Sequence, residues 1–476
     1  MNTASILLGP LVGGLTHQSA NLWARCQGEA ILYAWVSHKP DLSDATLAGQ
    51  SLPLDGRTGF AGVVPLSNLQ PETRYYYTLT TSKQSPAPGQ YPSFTTFPPP
   101  GEKRSFTFLF GSCFRPTDEN GGEAFAVIEE WRQKENFSFM LMIGDQIYAD
   151  DWKHNGIGKI AVSKDDYRGV YAYTWTRPSL RRLFPNLPVF MTLDDHEVDD
   201  DWHWLDAERR WATIPFYNRW ERILRGFKPQ ECHLPLHRVR DALQVYWEHQ
   251  LMHAPPLISA PRLNYANQYE FKEGDSGSLA YKFTCGAAAF FVMDTRTMRI
   301  QRQTILGEGQ WQALETWLME VKDYPVKFLV TSSALLFDFF GDVTADRWSG
   351  FKQERDRLFY FLAREGIENV YIITGDLHSG HAISASLYGP NQQAIPIWEF
   401  CASPFEQKTN WLSKLLFIPV SSGAVKNEKL HFVKKACNFG VVRVQFDETH
   451  QKPVVHFTLI YKDKTSGQWL ATEPIG

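Results

Sequence analysis

No stretch of the chain approaches the roughly 20 consecutive apolar residues needed to span a bilayer. Neither sign of charge is in excess: a net charge of −4 supplies no broad basic field for nucleic acid or an anionic membrane, so any anion handling must be local. Cysteine is sparse. Its six positions, 26, 113, 232, 285, 401 and 437, match neither a metal-finger spacing nor a disulfide framework, and most read as small buried hydrophobes. Internal repeats and low-complexity tracts are missing. The apolar opening MNTASILLGPLVGGL has no Lys or Arg ahead of it and no twin-arginine element, and Gly and Pro interrupt it. It reads as a first strand, and the expectation is a soluble, cytoplasmic protein.

At 476 residues, 43% hydrophobic and 21% charged, the composition is that of a globular protein too long for one ordinary core. Residues 1–97 show short alternating segments such as ANLWARC, AILYAWV and TRYYYTLTT, set apart by turn residues. That spacing predicts an all-β sandwich, and NLQPETRYYYTL resembles the late-strand signature of fibronectin type III and immunoglobulin-like sandwiches. The stiff piece PPPGEKR marks a linker at 98–104. From 105 to 476 buried-strand runs alternate with amphipathic helices, which predicts an α/β domain. Residues from about 203 to 270, rich in Trp and Arg, read as a helical insertion packed over the sheet or shaping the substrate site. After about 383 the chain turns β-rich, with DKTSG as a hairpin turn.

Ligands of α/β sheets gather beyond the carboxyl ends of the strands, and those ends here carry Cys113, Asp145, Asp194, Asp294, Ser332 and Asp376. The most heavily charged end is LPVFMTLDDHEVDDDW, where six of eight residues after a buried run are acidic: Asp194, Asp195, Glu197, Asp199, Asp200 and Asp201. Carboxylates so close repel unless some are protonated or a cation sits among them, although a solvated acidic loop would read the same way. In GDQIYADD, Gly144 lets the chain turn off its strand and point Asp145 outward, where it could bridge two cations. In GDLHSGH, Asp376 and His378 share one side of an extended segment and offer an oxygen and a nitrogen to adjacent metals. His381 could be a ligand, a supporting group or a core histidine. Cys113, in GSC, is a soft donor among hard ones: as a ligand it would call for iron or zinc, with Tyr148 phenolate favouring ferric iron, and otherwise it is buried and inert. No histidine stands beside Cys113 or Ser332 in a nucleophile motif.

The ordered series GSCFRP, GDQIYADD, LDDHEVDDDW, FVMDTRT, GQWQALETWL before VTSSAL, and TGDLHSGH resembles the PhoD-like alkaline phosphatases of the calcineurin-like metallophosphoesterase superfamily, over nearly the whole chain. The resemblance implies a four-layer αββα sandwich over 105–476 and a site of ferric iron with one or two calcium ions, other divalent transition metals being possible. It places Cys113, Asp145, Tyr148 and His378 on iron, with Asp145 and Asp376 reaching toward calcium. Asp195 stands where the wider superfamily has the asparagine of its GNHE motif, and His196 where it has the histidine that assists the transition state. Asp200 stands where these enzymes commonly carry asparagine as a calcium ligand, and the added charge leaves the second metal open. The expected reaction is in-line attack on phosphorus by metal-bound hydroxide, His196 steadying the leaving group and Arg115 or Arg296 clamping the phosphate or pairing with nearby acids. Expected substrates are small-molecule, nucleotide or lipid phosphate esters, monoesters or diesters, with no specific nucleic acid. An inactive metal-binding scaffold and a calcium-dependent adhesion module are the competing readings, and the second leaves GSC and GDLH unexplained.

Overall fold

Neighbouring side chains of a strand point to opposite faces, so the apolar run Ala288–Val292 must serve two cores at once. It does so. Phe290 meets Phe108 of strand Phe106–Gly111 edge-on at 5.5 Å, and Phe328 of Val326–Val330 meets Phe108 at 5.1 Å. Phe291 and Leu329, on the other face, pack with Trp311 and Leu314 of helix Gly307–Glu320 and with Leu358 and Phe359 of helix Lys352–Glu365.

The computed structural model of the chain describes residues 4–116, 121–204, 211–259, 278–339, 346–389, 393–409, 417–420, 422–447 and 453–476. Two mixed sheets face each other across the phenylalanine core. In one, the parallel strands Val189–Thr192, Phe139–Ile143 and Phe106–Gly111 are continued antiparallel by Asn438–Gln445, Val454–Lys462 and Trp469–Ala471. The other runs Leu257–Ser259, Ser278–Cys285, Ala288–Val292, Val326–Val330, Val370–Thr374, Ala394–Cys401, Gly380–Tyr388, Val425–Lys434, with the four strands from Ala288 to Cys401 parallel to one another. Thr107 and Arg443, register partners on the face away from Phe108, both bond Glu135 just past helix Glu123–Arg132. Helices Gly307–Glu320 and Lys352–Glu365 thus cover the outer face of the second sheet, and helix Glu123–Arg132 ends beside the outer face of the first. The turn expected at DKTSG is present, Gly467 N donating to Asp463 O at 2.8 Å between the last two strands.

Seven strands between residues 6 and 95 form two further antiparallel sheets, of three and four strands, and pair only among themselves among the described residues. They are nevertheless fastened to the rest of the molecule. Trp23 Nε1 donates to Glu248 O at 2.8 Å, Tyr77 OH to Pro185 O at 2.9 Å, and Phe97 packs against Phe139 at 5.5 Å. The Pro-rich connection is pinned as well: Gly101 N donates to Gly286 O and Ala287 N to Glu102 O. Within 203–270 the helices are Phe216–Leu224, Pro229–Cys232 and Leu236–Tyr246, extended by a π turn at Trp247–Leu251. Not all of this stretch is helical. His203–Trp204, Trp211–Thr213 and Leu234–Pro235 form a small antiparallel sheet, and Leu257–Ser259 is an edge strand; residues 205–210 and 260–270 lie outside the described residues. Strand pairing here overrides the helix-compatible pattern at His203–Trp204 and Trp211–Thr213.

Candidate metal centre

Loops leaving the parallel strands of both sheets meet at one place, and their backbones are bent hard to do so. Gly144 has φ of 82°, and a Cβ there would lie 2.5 Å from Cβ of Asp194, so only glycine lets these two acidic loops approach. Cys113, Asp145, Asp376 and His378 take φ of 59°, 56°, 62° and 51°, the left-handed region that non-glycine residues avoid. Such conformations persist where the surroundings over-determine them, and they concentrate at functional sites. Glu197 supplies much of that determination: its buried carboxylate accepts from Asp194 N (2.9 Å), Asp145 N (3.2 Å) and Gln146 N (2.7 Å), tying two loops together.

Asp145 is shared by three groups of potential ligands. The sulfur, oxygen and nitrogen of Cys113, Asp145 and His378 lie within 4.8 Å of one another, as do ligand atoms of Asp145, Asp195 and His196, and of Asp145, Asp194 and Asp376. Tyr148 OH joins the first group, 3.3 Å from both Asp145 Oδ2 and His378 Nε2. The four residues expected on iron are thus brought together. Asp200 belongs to a separate group with Asp195 and Asp201, and its other oxygen accepts from Asn218. Asp194, one of the polar strand ends, faces Asp145 and Asp376 directly.

Burial sets the charge state of this cluster. It holds the Asp145 carboxyl well above the ordinary range, helped by Cys113, and pushes Asp194 to about 8 against the pull of Arg296. Asp200 rises to about 7 and the Cys113 thiol to about 12, both chiefly through burial, while burial and neighbouring cations take His378 down to about 3. A cation would reverse each carboxyl and thiol shift and would find the imidazole already neutral. Asp194 Oδ2 is buried with no hydrogen-bond partner, an oxygen left available for such an ion. Sulfur, phenol, imidazole and carboxylate on one side suit a transition ion, and carboxylates on the other suit a hard one. The residues present fit both.

A cleft of about 380 Å³ opens on this cluster and is lined by Arg115, Tyr148, His196 and Asp200 together with Trp152, His154, Asn218 and Gln407. His196 lies against Tyr148 with ring centroids 4.1 Å apart and planes tilted by 33°, and its Nδ1 bonds Asp150 at 2.7 Å. Burial opposes protonation of His196, but Asp150, Asp195 and Asp145 together raise its pKa well above the ordinary value. Arg115 bonds Asp151 at the cleft wall, and its Nε is buried without a partner. Arg296 is a correction. It is fully buried, its Nε on Asp194 and its terminal nitrogens on Asp346, so no face remains to clamp a phosphate. His381 sits apart, bonded to Glu399 at 3.0 Å in the core. Asp294 and Ser332 also support: Asp294 accepts from Leu279 N, and Ser332 Oγ donates to Asp194 Oδ1 at 3.0 Å.

Sequence reasoning missed the roles of Asp150 and Glu197 and the contribution of Arg347, whose Nε lies 3.0 Å from Asp376. Asp150 was legible as part of the acidic tail of GDQIYADD. Arg347 comes from a distant segment and had no local signal.

A model of the PhoD-like phosphatase family matches residues 108–453. Alkaline phosphatase D of Bacillus subtilis (strain 168) is 23% identical over 356 residues, which cover 67% of this chain and 53% of that protein, so the chain spans about half the length of this curated relative. The solved structure of PhoD superposes with a TM-score of 0.68 at 18% identity, covering 100% of this chain and 94% of that one. A purple acid phosphatase, PPD1 from yellow lupin seeds, superposes with a TM-score of 0.57 at 13% identity, covering 97% of this chain and 72% of that one, a likeness of fold. With most of its length under the family model and the family's motifs converging on one centre, the chain belongs to the PhoD-like phosphatase family.

Proposed function

We propose that this protein hydrolyses phosphate esters at the cluster around Asp145, and the observation that carries the reading is the sharing of that carboxylate between a mixed-donor group and two oxygen-rich ones. Cys113, Asp145, Tyr148 and His378 would hold ferric iron or another transition ion. Asp145, Asp195, Asp200 and Asp376, joined by Asp194, would hold one or two calcium ions or their equivalent. Such ions, when bound, neutralise phosphate oxygens and make a water molecule nucleophilic at neutral pH. The chain's own groups do the rest. Arg115, at the cleft wall, supplies N–H donors to a phosphate oxygen. Asp150 orients His196 and favours its protonated form, so its other nitrogen can give a proton to the departing oxygen or a hydrogen bond to an equatorial one. Attack is in line and forms no phosphoenzyme. Small-molecule, nucleotide and lipid phosphate esters are the substrate classes proposed.

The test is elemental analysis of the purified protein with assays on nitrophenyl phosphate and bis-nitrophenyl phosphate, which also separate monoesterase from diesterase action. Asp145→Ala is expected to lose bound metal and to lower kcat/KM by roughly 10³-fold or more. Equal activity in the variant would overturn the proposed centre.

A further inference from the structure

Helix Phe216–Leu224 is built inside out. Its sequence FYNRWERIL places Phe216, Trp220 and Ile223 on one stripe, flanked by Tyr217 and Leu224, and such an apolar face ordinarily packs inward. Here it faces solvent. Phe216 is 66% exposed, Tyr217 56%, Trp220 45%, Ile223 42% and Leu224 82%, so five of the twelve exposed large apolar side chains among the described residues sit in nine consecutive positions. The polar face is the buried one: Arg222 is locked on Asp199 at 2.6 and 2.9 Å and on Glu231 O at 2.9 Å, and Asn218 bonds Asp200. Charged anchors on the acidic loop therefore fix the helix in an orientation that the hydrophobic effect opposes, and scattered exposed side chains would not need such fixing.

The composition of the outward face indicates what covers it. Tyr217 and Trp220 are the side chains that favour a membrane–water boundary, and Arg219 and exposed Lys228 flank the apolar stripe, while Arg225 is paired with Glu221 at 2.9 Å. This is a local basic, aromatic patch on a chain whose net charge is −4. A second copy joined by a two-fold axis would set these cations against themselves. We propose that helix Phe216–Leu224 is an interfacial anchor that docks the protein on anionic phospholipid surfaces, its apolar stripe entering the headgroup boundary. Asn218 and Arg222 on the inner face line the cleft, so docking would hold the cleft mouth beside the lipid surface. The inference does not depend on the activity proposed above.

Co-sedimentation with vesicles of equimolar phosphatidylglycerol and phosphatidylcholine, and of phosphatidylcholine alone, tests it on the full chain. Binding is expected to the anionic vesicles, weakening with salt. Trp220→Ser with Leu224→Ser should reduce it at least about tenfold, and Arg219→Gln with Lys228→Gln about fivefold or more. Thermal melting and nitrophenyl phosphate hydrolysis should be unchanged in both. Absence of wild-type binding, or equal binding by the Trp220/Leu224 variant, would overturn the proposal. So would sedimentation equilibrium showing a dimer that this variant abolishes while vesicles remain unbound, which would assign the face to a second copy.

Discussion

The acidic wall of the centre is laced with the protein's own cations, whereas the wall made by Cys113, Tyr148 and His378 has hydrogen bonds that run to neutral groups, to Asp145 and to one another. On the acidic side Asp194 is paired with Arg296, Asp376 with Arg347, and Asp199 with both Arg222 and Arg238. On the other side Cys113 Sγ has Ser112 and Ser403 hydroxyls at 3.2 and 3.3 Å, and burial holds its thiol at about 12. The contrast separates two jobs. Arginines offset part of the repulsion within the acidic wall, so that wall is a structural element as well as a ligand set. The hydroxyls around Cys113 carry no positive charge, so ionisation of Cys113 in particular depends on a bound ion.

Breaking the acidic wall should give the largest effect on the fold. Arg296→Gln leaves Asp194 buried without its guanidinium and Asp346 with Arg299 alone, and loss of one partner from a buried pair costs about 3–5 kcal/mol. Urea unfolding measures it. A loss below about 1 kcal/mol would mean that the wall is balanced by something other than Arg296. Breaking the mixed-donor wall should do the reverse. Cys113→Ser keeps a small polar side chain between Ser112 and Ser403, so stability should change by less than about 1.5 kcal/mol. Iron content, read by elemental analysis and by phenolate absorption, should fall roughly tenfold, because the soft donor is gone. Full iron retention would remove Cys113 from the ligand set.

Much of this arrangement is written locally in the sequence. Strand runs ending in Gly-Ser-Cys, Gly-Asp and Leu-Asp-Asp-His announce both a buried β-strand and a polar turn, because the apolar period stops where the chemistry begins. The convergence of Cys113, Asp145 and Asp376 followed from strand ends sharing one edge, whereas the grouping of Tyr148 and His378 with Cys113 and Asp145 came from the family resemblance. What could not be read was the partition among equally acidic neighbours. Asp194 and Asp195 are adjacent, and their division between Arg296 and Asp201 N depends on loops brought together from both sheets. Arg296 looked like a clamp because a short motif shows a charge and not its burial; Asp346, fifty residues on, decides its role. Helix Phe216–Leu224 misleads for a related reason. Its apolar stripe predicts an inward face, and only the ion pair of Arg222 with Asp199 shows which side is held.

The finest test of the contrast compares the two arginines that the sequence left equivalent. Arg115 shares the cleft with His196, and its pair with Asp151 is part-exposed, 17% and 20%, so solvent screens it and its removal should cost under about 1 kcal/mol of stability. Unlike Arg296, it lines the cleft, which puts its guanidinium within reach of substrate. Arg115→Gln is therefore expected to raise KM for nitrophenyl phosphate by roughly threefold to tenfold with a melting temperature near that of the wild type. If KM is unchanged while stability falls, Arg115 is, like Arg296, a brace for its neighbouring acid, and phosphate recognition rests on the metal ligands and His196 alone.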